Sequence, residues 1–167
     1  MTYTITSPPP SLCPPTSAAM ISFLENFYRI SDTESLHNDY ATNFTEDATL
    51  IMGSKVAKGL DEILNLRHGL WTHVARRKHT PERVYFGAER ELMLYGTVRY
   101  VLRKDVEAGK EEDEIEVPWA GRVVFDEKVE KMRFYQVYLV CLSPPLSLPH
   151  SLYFVPCLVF LGGIWFG

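Results

Sequence analysis

Apolar residues in the first part of the chain recur at three- and four-residue spacing, as on one face of a helix. This spacing predicts a first helix that begins near Thr16 or Ser17, either of which can cap it. Its stripe consists of Met20, Phe23, Leu24, Phe27 and Ser31, with Tyr28 at the edge. A short second helix is expected over residues 34–40, and a clear amphipathic helix over residues 61–75.

The remaining segments alternate between apolar and polar residues and predict strands. Residues 45–59 indicate a hairpin with a turn at Gly53-Ser54. Four longer strands are expected over residues 79–87, 91–103, 115–125 and 131–139. This order predicts an α+β domain in which three N-terminal helices pack on one face of a curved antiparallel sheet. A bent sheet leaves a concave pocket, the usual place for a small ligand.

The positions of the charged residues and the prolines along the chain indicate where this domain begins and ends. Every charged side chain lies between Glu25 and Arg133, whereas only Pro81 and Pro118 of the 11 prolines do. A folded surface needs charge and regular structure excludes proline, so we expect a single domain over residues 17–140. Residues 1–16 are rich in Pro, Ser and Thr and lack the pattern of a signal peptide, which predicts a disordered arm.

Residues 141–167 form an uncharged, apolar tail with four prolines. A membrane anchor is disfavoured because the segment after His150 is short for a span and contains Pro156 and Gly162-Gly163. A folded extension is disfavoured by the absence of periodicity. We favour a gene-model artefact, in which translation continues into an intron, because Val-Cys can be encoded by a GT-containing run like an intron start.

The formal net charge of −4 argues against nucleic acid as a partner. The basic cluster Arg76-Arg77-Lys78 is interpreted as a solvated helix end. Three cysteines without a C-x-x-C or Cys/His cluster indicate neither a disulfide framework nor a metal site, which fits a reducing, cytoplasmic location.

The chain resembles the nuclear transport factor 2-like superfamily, in its SnoaL-like branch of small fungal and bacterial proteins. The resemblance spans residues 18–139. Its segments are F-L-E-N-F-Y at 23–28, F-T-E-D-A-T-L-I-M-G at 44–53, K-G-L-D-E-I at 58–63, L-Y-G-T-V-R-Y at 94–100 and F-Y-Q-V-Y-L at 134–139. It implies a cone whose pocket opens between the first helix and the concave sheet face. Relatives include polyketide cyclases, ketosteroid isomerases, scytalone dehydratase, limonene epoxide hydrolase and non-catalytic transport factors, and the enzymes mostly act by acid/base catalysis without a cofactor.

Individual residues of this sequence argue against some of these reactions. The epoxide hydrolases need Arg and Asp two apart on a strand, but Arg99 is followed two places later by Val101. The aspartates fall at predicted helix ends, turns or loops, so the signal for a carboxylate base is poor. His79, entering the first long strand, resembles one catalytic histidine of scytalone dehydratase; the second has no counterpart.

Two residues are candidate catalytic groups: His79, as an acid/base with no identifiable partner, and Tyr28, whose hydroxyl could polarise a carbonyl. A histidine hydrogen-bonded at a strand start is the alternative for His79. His37, His68 and His73 are weaker candidates. The candidate ligand-binding residues are Trp71, Tyr95, Trp119, Gln136 and Tyr138, although aromatic residues are more often core.

The sequence therefore predicts a small-molecule pocket protein, a cyclase, isomerase or dehydratase of secondary metabolism that needs no cofactor or metal. The expected ligand is small and apolar or polyketide-like. The alternative is a non-catalytic ligand- or protein-binding module. A homodimer is expected through the outer sheet face, which we assign to Val124, Tyr135 and Val137.

Overall fold

The computed structural model describes residues 3–103, residue 106 and residues 114–139. After a short 3-10 helix (Pro10–Leu12), its elements are α1 (Ser17–Ser31), α2 (His37–Thr42), β1 (Phe44–Met52), β2 (Lys55–Lys58), α3 (Gly59–Gly69), β3 (Val74–Ala88), β4 (Glu91–Leu102), β5 (Ile115–Phe125) and β6 (Met132–Leu139). None of the described helices is long and apolar enough to cross a membrane. The interpretation of residues 141–167 falls outside the described residues.

The six strands form one sheet in the order β2-β1-β6-β5-β4-β3. All pairings are antiparallel except that of β1 with β6, which is parallel. The predicted α+β fold, with three helices on one side of a sheet, is confirmed. The parallel pair differs from the all-antiparallel expectation because the last strand of the meander returns beside β1 rather than ending at an edge. The edges of the sheet are therefore β2 and β3.

The buried face of α1 agrees with the predicted stripe, because Met20, Leu24 and Phe27 are almost fully buried. Phe23 packs edge-on against Phe125 of β5 with ring centroids 5.2 Å apart. The hydroxyl of Thr16 does not cap the helix; it donates instead to the carbonyl of Glu89.

The arm before α1 is not a disordered segment, and this prediction is wrong for residues 3–6. Thr6 forms a parallel bridge with Arg83 of the edge strand β3. Its amide donates to the carbonyl of Glu82 at 2.9 Å, and Tyr3 and Ile5 are buried. An exposed strand edge offers unpaired backbone groups, and the arm satisfies some of them.

The third helix is shorter than predicted. It ends at Gly69, and Val74, which was predicted to lie in the helix, begins β3 instead. Leu70 and Val74 fit a helical stripe as well as the start of a strand, so periodicity alone could not separate the two. The basic residues 76–78 consequently lie on β3 and do not form a solvated helix end.

A bulge in β3 at Pro81 changes which residues face the helices. Pro81 pairs with Gly96, but the next pair joins Arg83 with Tyr95, so one residue is inserted. A Cβ on Gly96 would lie 2.1 Å from the carbonyl oxygen of Thr80, so the close approach of β3 and β4 requires glycine there. The shift lets both His79 before the bulge and Val84 after it face inward.

The outer sheet face was assigned wrongly for two residues. Tyr135 and Val137 are buried and face the helices, whereas only Val124 alternates outward with the buried Val123 and Phe125. The outer face instead presents large side chains that are 38–49% exposed: Tyr85, Met93, Tyr95 and Tyr138.

Candidate active site

The C-terminal end of α1 is buried inside the protein, and it is the foundation of the site. The backbone carbonyl groups that end a helix lack helical partners and carry the negative pole of its dipole. Arg67 of α3, with no exposed surface, donates to the carbonyl of Ser31 at 2.8 Å and to that of Thr33 at 2.9 Å. Burial and then the charge of Arg77 lower the pKa of Arg67 to about 9, so its guanidinium stays charged at neutral pH. Arg67 thus joins α3 to the end of α1.

A second buried arginine reaches the same helix end from β3. Arg77 donates to the carbonyl of Ser31, and its Nη2 lies 3.2 Å from the Ser31 hydroxyl. Its guanidinium carbon lies 4.7 Å from the ring centroid of Trp71, and that of Arg67 lies 5.1 Å from the same ring. The indole therefore packs against both cations, a favourable contact for guanidinium groups removed from water.

Asp32 follows directly after α1, and its carboxylate is surrounded by donors. Oδ2 accepts the backbone N–H of His79 at 2.7 Å and the hydroxyl of Tyr3 at 2.6 Å. Oδ1 lies 2.5 Å from Nδ1 of His79 and 3.5 Å from Nε of Arg77. Burial raises the pKa of Asp32, but His79, Arg77 and Tyr3 outweigh it and hold the pKa below its usual value. Asp32 is an anion whose acceptor sites are occupied.

The contact with Asp32 determines which ring nitrogen of His79 carries the proton. An ionised carboxylate only accepts hydrogen bonds, so Nδ1 must carry the proton and Nε2 keeps its lone pair. Burial lowers the pKa of His79, against the opposing influence of Asp32, so the ring is neutral near pH 7. The ring lies 5.1 Å from that of Tyr28 and 5.7 Å from that of Trp119. His79 therefore meets the requirements of a general base.

His79 lines a small enclosed space, here called the inner cavity, between the end of α1 and the sheet. Its volume is about 30 Å³, room for one or two water molecules. Trp119 and Tyr135 line it too, and the buried indole N–H of Trp119 has no hydrogen-bond partner among the described residues. The hydroxyl of Tyr135 lies 3.1 Å from that of Tyr28. A base and a free donor thus border one cavity.

A larger depression of about 530 Å³, here called the edge groove, lies where β3 meets the arm and the end of α1. Asp32, Tyr3 and Trp71 are among the side chains that line it. Arg77 lines both the edge groove and the inner cavity. The Asp32–His79 pair therefore spans the wall between the two spaces, with the aspartate on the groove side.

The structure brings together three of the predicted site residues. His79 and Trp119 line the inner cavity, and Tyr28 packs against both rings, 5.4 Å from Trp119. The Tyr28 hydroxyl is not an isolated pocket group, because it lies within hydrogen-bond distance of the Tyr135 hydroxyl. Trp71 belongs to the edge groove instead.

The other three predicted ligand-binding residues lie on the wrong face of the sheet. Gln136 and Tyr138 alternate with Val137, which lines the inner cavity, so they point outward. Tyr95 pairs with Ala120, the partner of Tyr138, and shares that outer face. The assignment of Gln136, Tyr95 and Tyr138 to the pocket was therefore wrong.

Sequence reasoning also missed the partner of His79. Asp32 was passed over because it follows a helix rather than projecting from a strand. Arg67 was not among the candidate site residues, and Tyr3 lay in the segment expected to be disordered. An arginine beside the apolar face of a helix, with no acidic residue three or four positions away, is a signal that could have suggested a buried helix end.

The remaining histidines lie elsewhere. His37 and His68 stack on each other between α2 and α3, with ring centroids 4.0 Å apart, and His73 is exposed. Across residues 3–103 and 114–139, no group of three or more His, Cys, Asp or Glu side chains could hold a metal ion.

Solved structures share this fold at low sequence identity. A protein from Shewanella denitrificans classed as a SnoaL-like polyketide cyclase is 11% identical, with a TM-score of 0.59, over 72% of this chain and 90% of that one. A protein from Catenulispora acidiphila with a ketosteroid isomerase-like fold, in complex with trimethylamine, is 14% identical, with a TM-score of 0.58, over 70% and 83%. A nuclear transport factor 2-like protein from Anabaena variabilis is 15% identical, with a TM-score of 0.59, over 75% and 89%.

These likenesses establish that the chain has the nuclear transport factor 2-like fold, as the sequence predicted. At such identities they establish the fold alone, since this fold supports many chemistries. No protein-family profile matches the chain, and no curated protein matches its sequence.

Replacing Arg67 tests whether the buried end of α1 depends on it. Arg67→Ala should lower the free energy of unfolding by about 3 kcal/mol or more, because charged hydrogen bonds are lost and a large buried side chain leaves a cavity. Arg67→Lys should recover only part of the loss, since an ammonium cannot reproduce the planar fork. Urea unfolding followed by circular dichroism measures both. The control is Arg29→Ala, an exposed arginine in the last turn of α1, which should change stability by less than about 0.5 kcal/mol. Equal losses at the two arginines would contradict the account.

Proposed function

We propose that this protein is an enzyme that moves a proton on a small carbonyl-containing molecule, as an isomerase, cyclase or dehydratase of secondary metabolism. The observation that supports the proposal is the buried contact of 2.5 Å between Asp32 and His79, with His79 lining a cavity. Acid/base chemistry by side chains accounts for such reactions without a cofactor.

In this proposal His79 is the catalytic base. Its Nε2 takes a proton from the carbon next to the substrate carbonyl and returns it to the product. Asp32 is a positioning residue, because it fixes the tautomer and stabilises the imidazolium that forms. Its own oxygens accept hydrogen bonds from the Tyr3 hydroxyl and the backbone of His79 and lie close to the positive charge of Arg77, so it is not the base.

The carbonyl oxygen needs donors where negative charge develops. The indole N–H of Trp119, which has no acceptor within the part of the chain that the structure describes, provides one. The hydroxyls of Tyr135 and Tyr28 provide a second donor. Either hydroxyl can donate to the other, so when Tyr28 donates, Tyr135 accepts and its own proton is available to the substrate. Burial raises the pKa of both phenols, so they remain protonated donors.

The sizes of the inner cavity and the edge groove suggest which part of the substrate each would hold. The inner cavity, about 30 Å³, admits only a small reacting group unless its walls move. The edge groove, about 530 Å³, matches the size of typical small-molecule sites. We place the bulk of the substrate in the groove and its reacting end past Arg77.

The small inner cavity also favours a second candidate function, a binding module without chemistry. In that case the groove would hold a ligand and the Asp32–His79 contact would serve only to join α1 to β3. The two functions differ in whether removal of the imidazole abolishes proton transfer.

Proton exchange on a simple ketone tests the enzyme proposal. The protein should accelerate exchange of the α-protons of 2-tetralone in D₂O, followed by proton NMR. His79→Ala should lower this acceleration by about a hundred-fold or more, and Asp32→Asn by at least about ten-fold. The acidic limb of the wild-type rate should lie below pH 6.5, since the base is lost only as pH falls through the lowered pKa of His79.

The control for this experiment is His73→Ala, which removes an exposed histidine from the turn before β3 and should leave the rate unchanged. A wild-type rate no higher than that of His79→Ala would refute the enzyme proposal. Retained binding of the ketone in both proteins would then favour the binding module.

We also propose that two copies associate through the outer sheet face. Its large side chains Tyr85, Met93, Tyr95 and Tyr138 are exposed together on this face, and clustered exposed apolar side chains often mark a protein-binding surface. Sedimentation at tens of micromolar should show a dimer, and the double variant Tyr95→Glu/Tyr138→Glu should be monomeric. Leu12→Glu, at an exposed leucine away from this face, should remain dimeric. A monomeric wild-type protein would exclude the association.

A further inference from the structure

The edge groove has a strongly charged lining in which basic and acidic residues are unequal in number. Its basic residues are Arg29, Arg76, Arg77, Lys78 and Arg99. Its acidic residues are Asp32, Glu34 and Glu114. Among the described lining residues, cations therefore outnumber carboxylates, and three of them come from the consecutive residues 76–78 of the edge strand.

The carboxylates of the groove are already bound within the protein. Asp32 is held by His79 and Tyr3, as described above. Glu34 pairs with Arg103, which lies outside the groove lining. Glu114 lies 3.3 Å from Arg99. Each carboxylate among the described residues of the groove therefore already has a partner within the protein.

Two buried donors at the groove have no acceptor among the described residues: the indole Nε1 of Trp71 and Nε of Arg77. Arg77 Nε is within 3.5 Å of Asp32, but without the geometry of a hydrogen bond. Trp71 is 3% exposed and the Arg77 side chain 5%. Leaving a buried donor unpaired costs about 1–3 kcal/mol, so two of them beside one groove call for a ligand that accepts.

Anionic oxygens are the strongest acceptors for such donors. A carboxylate presents two oxygens side by side, which suits an indole N–H and a guanidinium N–H held together by the stacking of Arg77 on Trp71. A neutral amide or alcohol would fill the same space without offsetting the excess positive charge.

We propose that the edge groove binds the carboxylate of an organic acid, with Trp71 and Arg77 as its donors. This inference rests on the proposed function in one respect, namely that the acid is the substrate and its carbonyl reaches His79 past Arg77. The basic run on β3 then has a role in recognition. The substrate class is an acid with an enolisable carbonyl group.

A matched pair of ligands tests this without relying on catalysis. Binding of 2-naphthoate and of its uncharged counterpart 2-naphthamide is measured by isothermal titration calorimetry at pH 7.5. The wild-type protein should bind the carboxylate at least about ten-fold more tightly than the amide. Trp71→Phe keeps the ring and removes the N–H, and Arg77→Gln removes the charge. Each should reduce the preference to less than about three-fold.

The control is Lys58→Gln, which removes a positive charge from β2 at the opposite edge of the sheet and should keep the full preference. If Arg77→Gln fails to fold, Trp71→Phe alone decides. Equal binding of the two ligands, binding of neither, or an unchanged preference in Trp71→Phe would overturn the proposal. His79→Ala should still prefer naphthoate, so a failure of the proposed catalysis and a failure of this site are separate outcomes.

Discussion

The burial of the C-terminal end of α1 is the constraint on which the rest of the structure depends. A helix end inside a protein leaves carbonyl groups and a negative pole away from water, and both need donors. Here the donors come from distant parts of the chain. Arg67 arrives from α3 and Arg77 from the edge strand β3, and both meet the carbonyl of Ser31. Without these two arginines, the buried carbonyl of Ser31 would lose the side-chain donors that the structure gives it.

The buried end of α1 also positions the Asp32–His79 pair. Asp32 directly follows the buried helix end, so its carboxylate enters the interior where Arg77 and the backbone of His79 already supply compensation. The carboxylate then orients the imidazole, and Tyr3 closes the set from the arm. A charge that is held by four partners is poorly suited to take up a proton itself. It is well suited to hold a neighbouring histidine in one tautomer.

The sequence predicted what periodicity determines and missed what distant contacts determine. The stripe of α1 and the alternation of the four long strands predicted the fold class, and His79 was identified from its resemblance to a catalytic histidine of scytalone dehydratase. Alternation identifies which residues share a face but not which face is inside, so Gln136 was placed in the pocket although Tyr135 occupies that side. Asp32 acquires its importance only when α1 meets β3, and no local pattern carries that information.

The tautomer of His79 tests this account most directly. Long-range ¹H–¹⁵N correlation NMR of the folded protein at pH 7.5 distinguishes the two ring nitrogens of each histidine. The account predicts that His79 is a single neutral tautomer with its proton on Nδ1 and an unprotonated Nε2, because Asp32 can only accept. A spectrum in which Nε2 carries the proton, or in which the two tautomers exchange, would contradict it.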